Sequence, residues 1–242
     1  MEKTGIDVVY PYNLVSIYGT YELPTFLTFC QRYLDGSGVA LDVGGNTGIT
    51  GSILSAFTSH VHIFEANPEM EKHIHISNNG NDNVTVVMKA VSNLPGKVEI
   101  YPVGQNNTSM VSKSKEGAVS VDCITLDHYC NENNLSPKVI KVDVEGVDSE
   151  VLLGTVDTIT RCKPYLFLEH PMYNAKSYNT DIALVNKAMA FLKENYELYA
   201  YPTLDQICPA DSFGLPLDIF VEKAGVLPTN IVGVPMNMKS DR

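Results

Sequence analysis

The chain has 242 residues, 44% of them hydrophobic, enough for one domain of generous size that buries about 70–75% of its unfolded surface. Its formal net charge of −11 excludes tight, sequence-blind binding to nucleic acid or to an anionic membrane, since both need a concentrated basic surface. Five cysteines (Cys30, Cys123, Cys130, Cys162, Cys208) include no Cys-x-x-Cys pair, no apolar stretch approaches about 20 residues, and Met1-Glu2-Lys3-Thr4 lacks a signal-peptide pattern. These features point to reduced thiols, a cytoplasmic location and a small or neutral partner.

In chain order, residues 1–36, with Tyr10, Tyr12, Tyr18 and Tyr21, read as an N-terminal cap or lid; 37–222 as the main domain; 223–242 as a C-terminal tail. The apolar run at 39–43 is the first strand, broken by Gly44-Gly45-Asn46-Thr47-Gly48. A helix over 49–57 leads to a second strand ending at Glu65. Asn67-Pro68-Glu69 opens another helix, with a capping side chain, a proline in the first turn and acids near the positive end, running to about Asn78. Strands are expected at 84–88 and 97–101, a helix capped by Thr125 over 125–133, then strands at 139–144 and 165–168. A helix from about Asp181 to Asn195 carries Ile182, Val185, Met189 and Leu192 near helical spacing, and two last strands are expected at 198–201 and 219–222. Runs apolar on nearly every residue suit parallel strands covered by helices on both faces, hence an α/β fold built on one sheet.

The glycine turn at a strand end, followed about twenty residues later by one carboxylate, outlines a nucleotide half-site. The glycines let the backbone approach a ligand, and Glu65 can accept from both ribose hydroxyls. Pyrophosphate recognition wants Gly-x-Gly-x-x-Gly, a spacing that Gly44, Gly45 and Gly48 do not give. Asp42-x-Gly44-x-Asn46-x-Gly48 instead resembles the first motif of class I methyltransferases, whose cofactor, S-adenosyl-L-methionine, has a cationic amino-acid tail in place of phosphates.

Val139-Ile140-Lys141-Val142-Asp143-Val144-Glu145-Gly146, ahead of Glu150-Val151-Leu152-Leu153-Gly154 and then Leu166-Phe167-Leu168-Glu169-His170, resembles the FkbM family of methyltransferases. The likeness runs from about Gly19-Thr20-Tyr21-Glu22 through Asn107-Thr108-Ser109 to about His170. Gly45 stands where the family often has alanine. The resemblance implies a Rossmann-like class I methyltransferase fold: a mostly parallel seven-stranded sheet in order 3-2-1-4-5-7-6 with helices on both faces. It also implies O-methylation of a small metabolite, sugar or natural product.

On that basis Asp42, Gly44, Gly45, Asn46, Gly48, Glu65, the adjoining Ala66 and Asp143 are the candidate cofactor residues, and Glu22, Asn107, Ser109 and Glu145 the candidate substrate residues. Strand alternation puts Lys141, Asp143 and Glu145 on one face, with the acids at the carboxyl end and Lys141 paired to an acid. Glu169 and His170 end the next strand, near Asp143 in the methyltransferase order. Asp143, Glu169 and His170 are therefore the candidate catalytic residues, with two alternatives open. They could bind Mg²⁺ or another divalent ion that holds the acceptor hydroxyl. Alternatively His170 could take its proton as a general base. His60, His62, His73 and His75 read as ordinary structural or solvated side chains. Rival activities are an N-methyltransferase or peptide-directed enzyme of the same fold, a non-catalytic S-adenosylmethionine-binding module, and a nicotinamide dehydrogenase. No motif identifies the acceptor or the oligomeric state.

Overall fold

The computed structural model describes residues 22–103, 107–111, 118–172, 180–209 and 211–236, with backbone alone at 102–103 and 107–111. The tyrosines at 10, 12, 18 and 21 lie outside the described residues. The chain runs α1 (Leu23–Tyr33), β1 (Val39–Val43), α2 (Ile49–Phe57), β2 (His60–Phe64), a 3-10 turn (Pro68–Met70) into α3 (Glu71–Ser77), and β3 (Val84–Val87). Next come β4 (Ala90–Val91), β5 (Gly96–Val103), β6 (Asn107–Val111) and β7 (Val119–Ile124). The rest is α4 (Leu126–Glu132), β8 (Pro137–Val142), α5 (Asp148–Leu153), α6 (Val156–Cys162), β9 (Tyr165–Glu169), α7 (Ile182–Asn195), β10 (Tyr196–Tyr201), α8 (Leu217–Ala224) and β11 (Asn230–Pro235). The expected caps form: Asn67 accepts from the Glu69 amide at 3.0 Å, Thr125 from that of His128 at 3.2 Å. Asp181 accepts from the Ala183 amide at 2.9 Å and so starts α7.

The main sheet has the order β3-β2-β1-β8-β9-β11-β10. Counted within that sheet this is 3-2-1-4-5-7-6, parallel from β3 to β9. In detail the sheet is mixed, since β11 runs antiparallel to both β9 and β10. Alternation divides the core in two. Leu41, Val43, Ile140, Val142, Leu166 and Leu168 face a layer from α4 to α7, whereas Ala40, Val61, Ile63, Val139 and Phe167 face α1, α2 and α3. Helix α1 is fixed by aromatic packing, with Phe26 and Phe29 at 4.9 and 5.3 Å (ring centroids) from Phe167.

Three expectations are corrected. The chain carries a second sheet, in order β4-β7-β5-β6, rather than one sheet. Residues 97–101 belong to it because they alternate: Val98 and Ile100 face inward, while Lys97 pairs with Asp122 at 2.7 Å on the wet side. The run at 219–222 is not a strand but the middle of α8. There Leu217 and Phe220 are buried at helical spacing, Pro216 precedes the helix, and Gly225 ends it at φ +69°. The sheet's last strand is β11, inside the segment expected to be a tail, so the main fold extends past residue 222. No helix among the described residues is long and apolar enough to cross a membrane.

Candidate active site

The chain leaves β1 for β2 on one side and returns to β8 on the other, so the strand order reverses between β1 and β8, where open α/β sheets bind ligands. The turn after β1 is wrapped tightly there. The amides of Gly44 and Gly45 both donate to the Phe64 carbonyl at 3.0 Å, and the Asp143 amide donates to that of Val43 at 3.1 Å. Gly44 has φ +84°, and a Cβ on it would overlap the carbonyl oxygen of Asp143; one on Gly45 would overlap Ile63. Gly48, also at φ +84°, begins α2 with no side-chain cap. A Cβ at Gly48 would meet Ile74 of α3 and Asn78 at its end, so the glycines let the turn pack closely on the end of β8, β2 and α3, while Gly44 and Gly45 border the cavity.

Glu65 locks this turn. Its Oε2 accepts from the Asn46 amide and its Oε1 from the Asn67 amide, each at 2.7 Å. Burial raises its pKa, and the Asn67 and Asn46 amides pull it back only in part. A carboxylate offers about four lone-pair directions; the Asn67 and Asn46 amides, with that of Ala66 beside them, leave room for at least one further donor. Replacing Glu65 by alanine is expected to weaken binding of S-adenosylhomocysteine by about ten- to a hundred-fold and to cost about 1–3 kcal/mol of stability, because two amides lose their acceptor. Calorimetric titration with parallel urea unfolding measures both; unchanged affinity excludes the role.

Asp42 is placed differently from the expectation. Alternation sends it under the turn, toward α2, where it is fully buried and does not line the cavity. Its Oδ2 accepts from the Thr50 hydroxyl at 2.8 Å, and its Oδ1 lies 3.6 Å from Lys141 Nζ. Lys141, its register partner on β8, pairs with Asp143 at 3.2 Å and donates to the Gly44 carbonyl at 3.0 Å. Burial alone would lower the Lys141 pKa, but Asp143 and Asp42 together raise it, so the ammonium stays charged. The expected acid partner of Lys141 is thus two acids, and the three groups tie β1, β8 and the glycine turn together.

Past β8 the backbone turns through Glu145 at φ +56° and Gly146 at φ +94°. Asp148, unnoticed in the sequence, holds that loop: its carboxylate accepts from the amides of Val144 (3.1 Å) and Gly146 (3.2 Å). Burial, then the charge of Asp143, pushes its pKa up to about 7. The loop aims Asp143, about one-third exposed, and Glu145 into the cavity.

The cavity measures about 290 Å³. It is bounded by the turn at 44–47, by Glu65 and Ala66, by Asp143 and Glu145, by Glu22 at the head of α1, and by Glu169 at the end of β9. Val91, Val98, Ile100 and Cys123 of the second sheet form an apolar wall. Sequence reasoning missed that wall because it missed the sheet. It also missed Glu150, whose Oε2 is buried without a hydrogen-bond partner among the described residues. Asn107 and Ser109 lie on β6, with side chains outside the described residues.

His170 is not brought to this cavity. Glu169 and His170 are adjacent at the strand end and diverge: Glu169 lines the cavity, while His170 is 4% exposed with its Nδ1 accepting from the Met172 amide at 3.1 Å. Burial pushes its pKa down to about 4. Among the described residues no three His, Cys, Asp or Glu side chains are arranged to hold a metal ion, so Asp143, Glu169 and His170 do not form the expected metal site. His62 Nδ1 meets the Tyr129 hydroxyl at 2.9 Å and His60 Nε2 the Thr85 hydroxyl at 2.8 Å, which are ordinary packing roles.

A reversal-point cavity with a bare glycine turn, a locked acid after β2 and carboxylates after β8 defines a Rossmann-like methyltransferase domain. The family model described as the methyltransferase FkbM domain matches residues 42–197, and the chain belongs to that family. Hexuronic acid methyltransferase AglP of Haloferax volcanii is 31% identical over 125 residues, covering 50% of this chain and 51% of that protein; the chain spans about half the length of this curated relative. Among solved structures, an FkbM methyltransferase of Methylobacillus flagellatus KT is 14% identical, with 88% of this chain and 58% of that one covered at a TM-score of 0.49. An rRNA methylase of Streptococcus thermophilus is 13% identical, with 86% and 92% covered at a TM-score of 0.49.

Proposed function

We propose that the protein transfers a methyl group from S-adenosyl-L-methionine to a hydroxyl of a sugar or similar small metabolite. The observation that carries this reading is the division of one cavity into two unlike ends. At one end lie the turn whose Gly44 and Gly45 admit no Cβ and the locked Glu65, which can still accept from a ligand hydroxyl. That end suits a ribose and an amino-acid tail. A pyrophosphate would need cations, and among the described lining residues these are Lys89 and Lys141, the latter already held by Asp42, Asp143 and the Gly44 carbonyl.

The other end presents Glu22, Asp143, Glu145 and Glu169, and Val98, Ile100 and Cys123 line the same cavity. Carboxylates accept hydrogen bonds from hydroxyls, so this end fits a polyhydroxyl acceptor. The 31% identity to a hexuronic acid methyltransferase supports the same substrate class. S-Adenosylmethionine, when bound, supplies a methyl carbon made electrophilic by its sulfonium. The chain's part is to hold the acceptor oxygen in line with that carbon, to shut out water and to receive the proton. Gly44 to Asn46, Glu65 and Ala66 would hold the cofactor, with Asp143 between the two ends.

Incubation with labelled S-adenosylmethionine and a panel of neutral and uronate glycosides, followed by mass analysis, tests the reading. The expected product is a methyl ether on a hydroxyl oxygen. Label found only on a carboxylate, on nitrogen or on polypeptide would overturn it.

A further inference from the structure

A hydroxyl acceptor must lose its proton, and His170, buried away from the cavity with Nδ1 already engaged, is not placed to take it. We propose that Glu22 is the general base of this site, its carboxylate held over the acceptor end of the cavity by the first turn of α1. This rests on the hydroxyl-acceptor reading above. Glu22 lines the cavity that Asp143, Glu145 and Glu169 share. Its position is set by structure rather than by a loose segment. The Phe26 amide donates to the Glu22 carbonyl at 3.0 Å, the Thr25 hydroxyl to the Pro202 carbonyl at 3.2 Å, and Phe26 packs edge-on against Phe167 in the sheet.

Among the described residues, the charged groups around its carboxylate are Asp143 and Lys141 at the end of β8, Glu145 in the following loop and Asp205 after β10. Three of the four are negative. Desolvation first, then the charge of Asp143, raises Glu22 to about 7, although the residue as a whole keeps a face to solvent. A base with that proton affinity is matched to neutral pH, and its open face lets the proton leave afterwards. Of the other carboxylates on the cavity, Asp143 is tied to Lys141 at 3.2 Å.

The step balances. The acceptor O–H bond breaks and its proton passes to a Glu22 oxygen; the freed electron pair forms the O–CH₃ bond as the sulfur–methyl bond breaks, its pair remaining on sulfur. Glu22 ends neutral and returns its proton to water.

The test uses the full chain, the glycoside panel and the variants Glu22→Gln and Glu22→Asp. Glu22→Gln should bind S-adenosylhomocysteine within about twofold of the unaltered protein, as read by calorimetry, yet lose about 100-fold or more in kcat at neutral pH. The unaltered protein should lose kcat/KM about tenfold per pH unit below about 7, as Glu22 protonates; Glu22→Gln should lack that limb and Glu22→Asp partly restore it. Independently of turnover, carbon-13 titration of the ligand-free protein should show a carboxyl near 7 that vanishes in Glu22→Gln while that of Asp148 remains. Glu22→Gln keeping its rate within threefold and the acid limb would overturn this role and leave O-methylation standing. Binding of S-adenosylhomocysteine with no label on any glycoside oxygen would overturn both.

Discussion

Replacing Lys141 by methionine is expected to destabilise the protein by about 3–5 kcal/mol, the usual consequence of removing one partner from a buried ion pair. The ammonium is 4% exposed and stands between Asp42, at 0%, and Asp143. Without it Asp42 keeps, among the described residues, the Thr50 hydroxyl as its one donor, in surroundings that already disfavour its charge. The Gly44 carbonyl loses its donor as well. Urea unfolding measures the loss. Because the variant's Asp42 is relieved by protonation, its deficit should shrink as pH falls. Adding Asp42→Asn should recover part of it, since the orphaned charge is then gone. A single variant as stable as the parent would show that this buried network does not hold the turn.

Gly44→Ala should be nearly as damaging and for a different reason. A residue with Cβ at φ +84° costs about 1–2 kcal/mol in backbone conformation alone. Its Cβ would also collide with the Asp143 carbonyl, a backbone atom that moves only if β1 and β8 separate at their ends. Together these amount to about 3 kcal/mol or more, a fall in melting temperature of roughly 6–12 °C for a domain of this size. Affinity for S-adenosylhomocysteine should fall with it, because the same shift moves the cofactor turn away from the loop that carries Asp143. Gly36→Ala is the control. It shares φ +84°, but a Cβ at that position would meet nothing within 4 Å, so it should show the conformational cost without the loss of affinity.

The parts of this molecule that were legible in the sequence are those in which one local pattern has one structural outcome. An apolar run, a glycine break and an acid after the next apolar run set β1, the turn and Glu65. Side-chain caps at Asn67 and Thr125 set helix starts. The second sheet was not legible as a sheet: 97–101 read as a strand, but β5 and β7 alternate apolar with polar residues and give no long apolar run. Residues 230–235 looked like a tail, since Gly233 and Pro235 both weaken a strand signal. Yet Gly233 is needed where it is: β11 runs between β9 and β10, and a Cβ there would press on Tyr196 and Leu166 at 3.1–3.2 Å.

The candidate site divides along the same line. Gly44, Gly45, Asn46, Glu65, Ala66, Asp143, Glu145, Glu169 and Glu22 line the cavity. Asp42, Gly48 and His170 do not: Gly48 faces α3, and the other two side chains point to the covered side of their strand ends, a direction that depends on which face the helices occupy. Asp148 was missed for a related reason. Its function is to hold backbone amides of a loop whose left-handed turn at Glu145 no sequence pattern announces.

The central claim is that the glycine turn and Glu65 form a site for an adenosyl group with an amino-acid tail. Calorimetric titration of the unaltered protein with S-adenosylhomocysteine, set beside NAD⁺, tests it most directly. Saturable one-to-one binding of S-adenosylhomocysteine, weakened about ten- to a hundred-fold by Glu65→Ala, with no saturation by NAD⁺, is the expected result. Saturation by NAD⁺, or S-adenosylhomocysteine binding that is indifferent to Glu65, would contradict it.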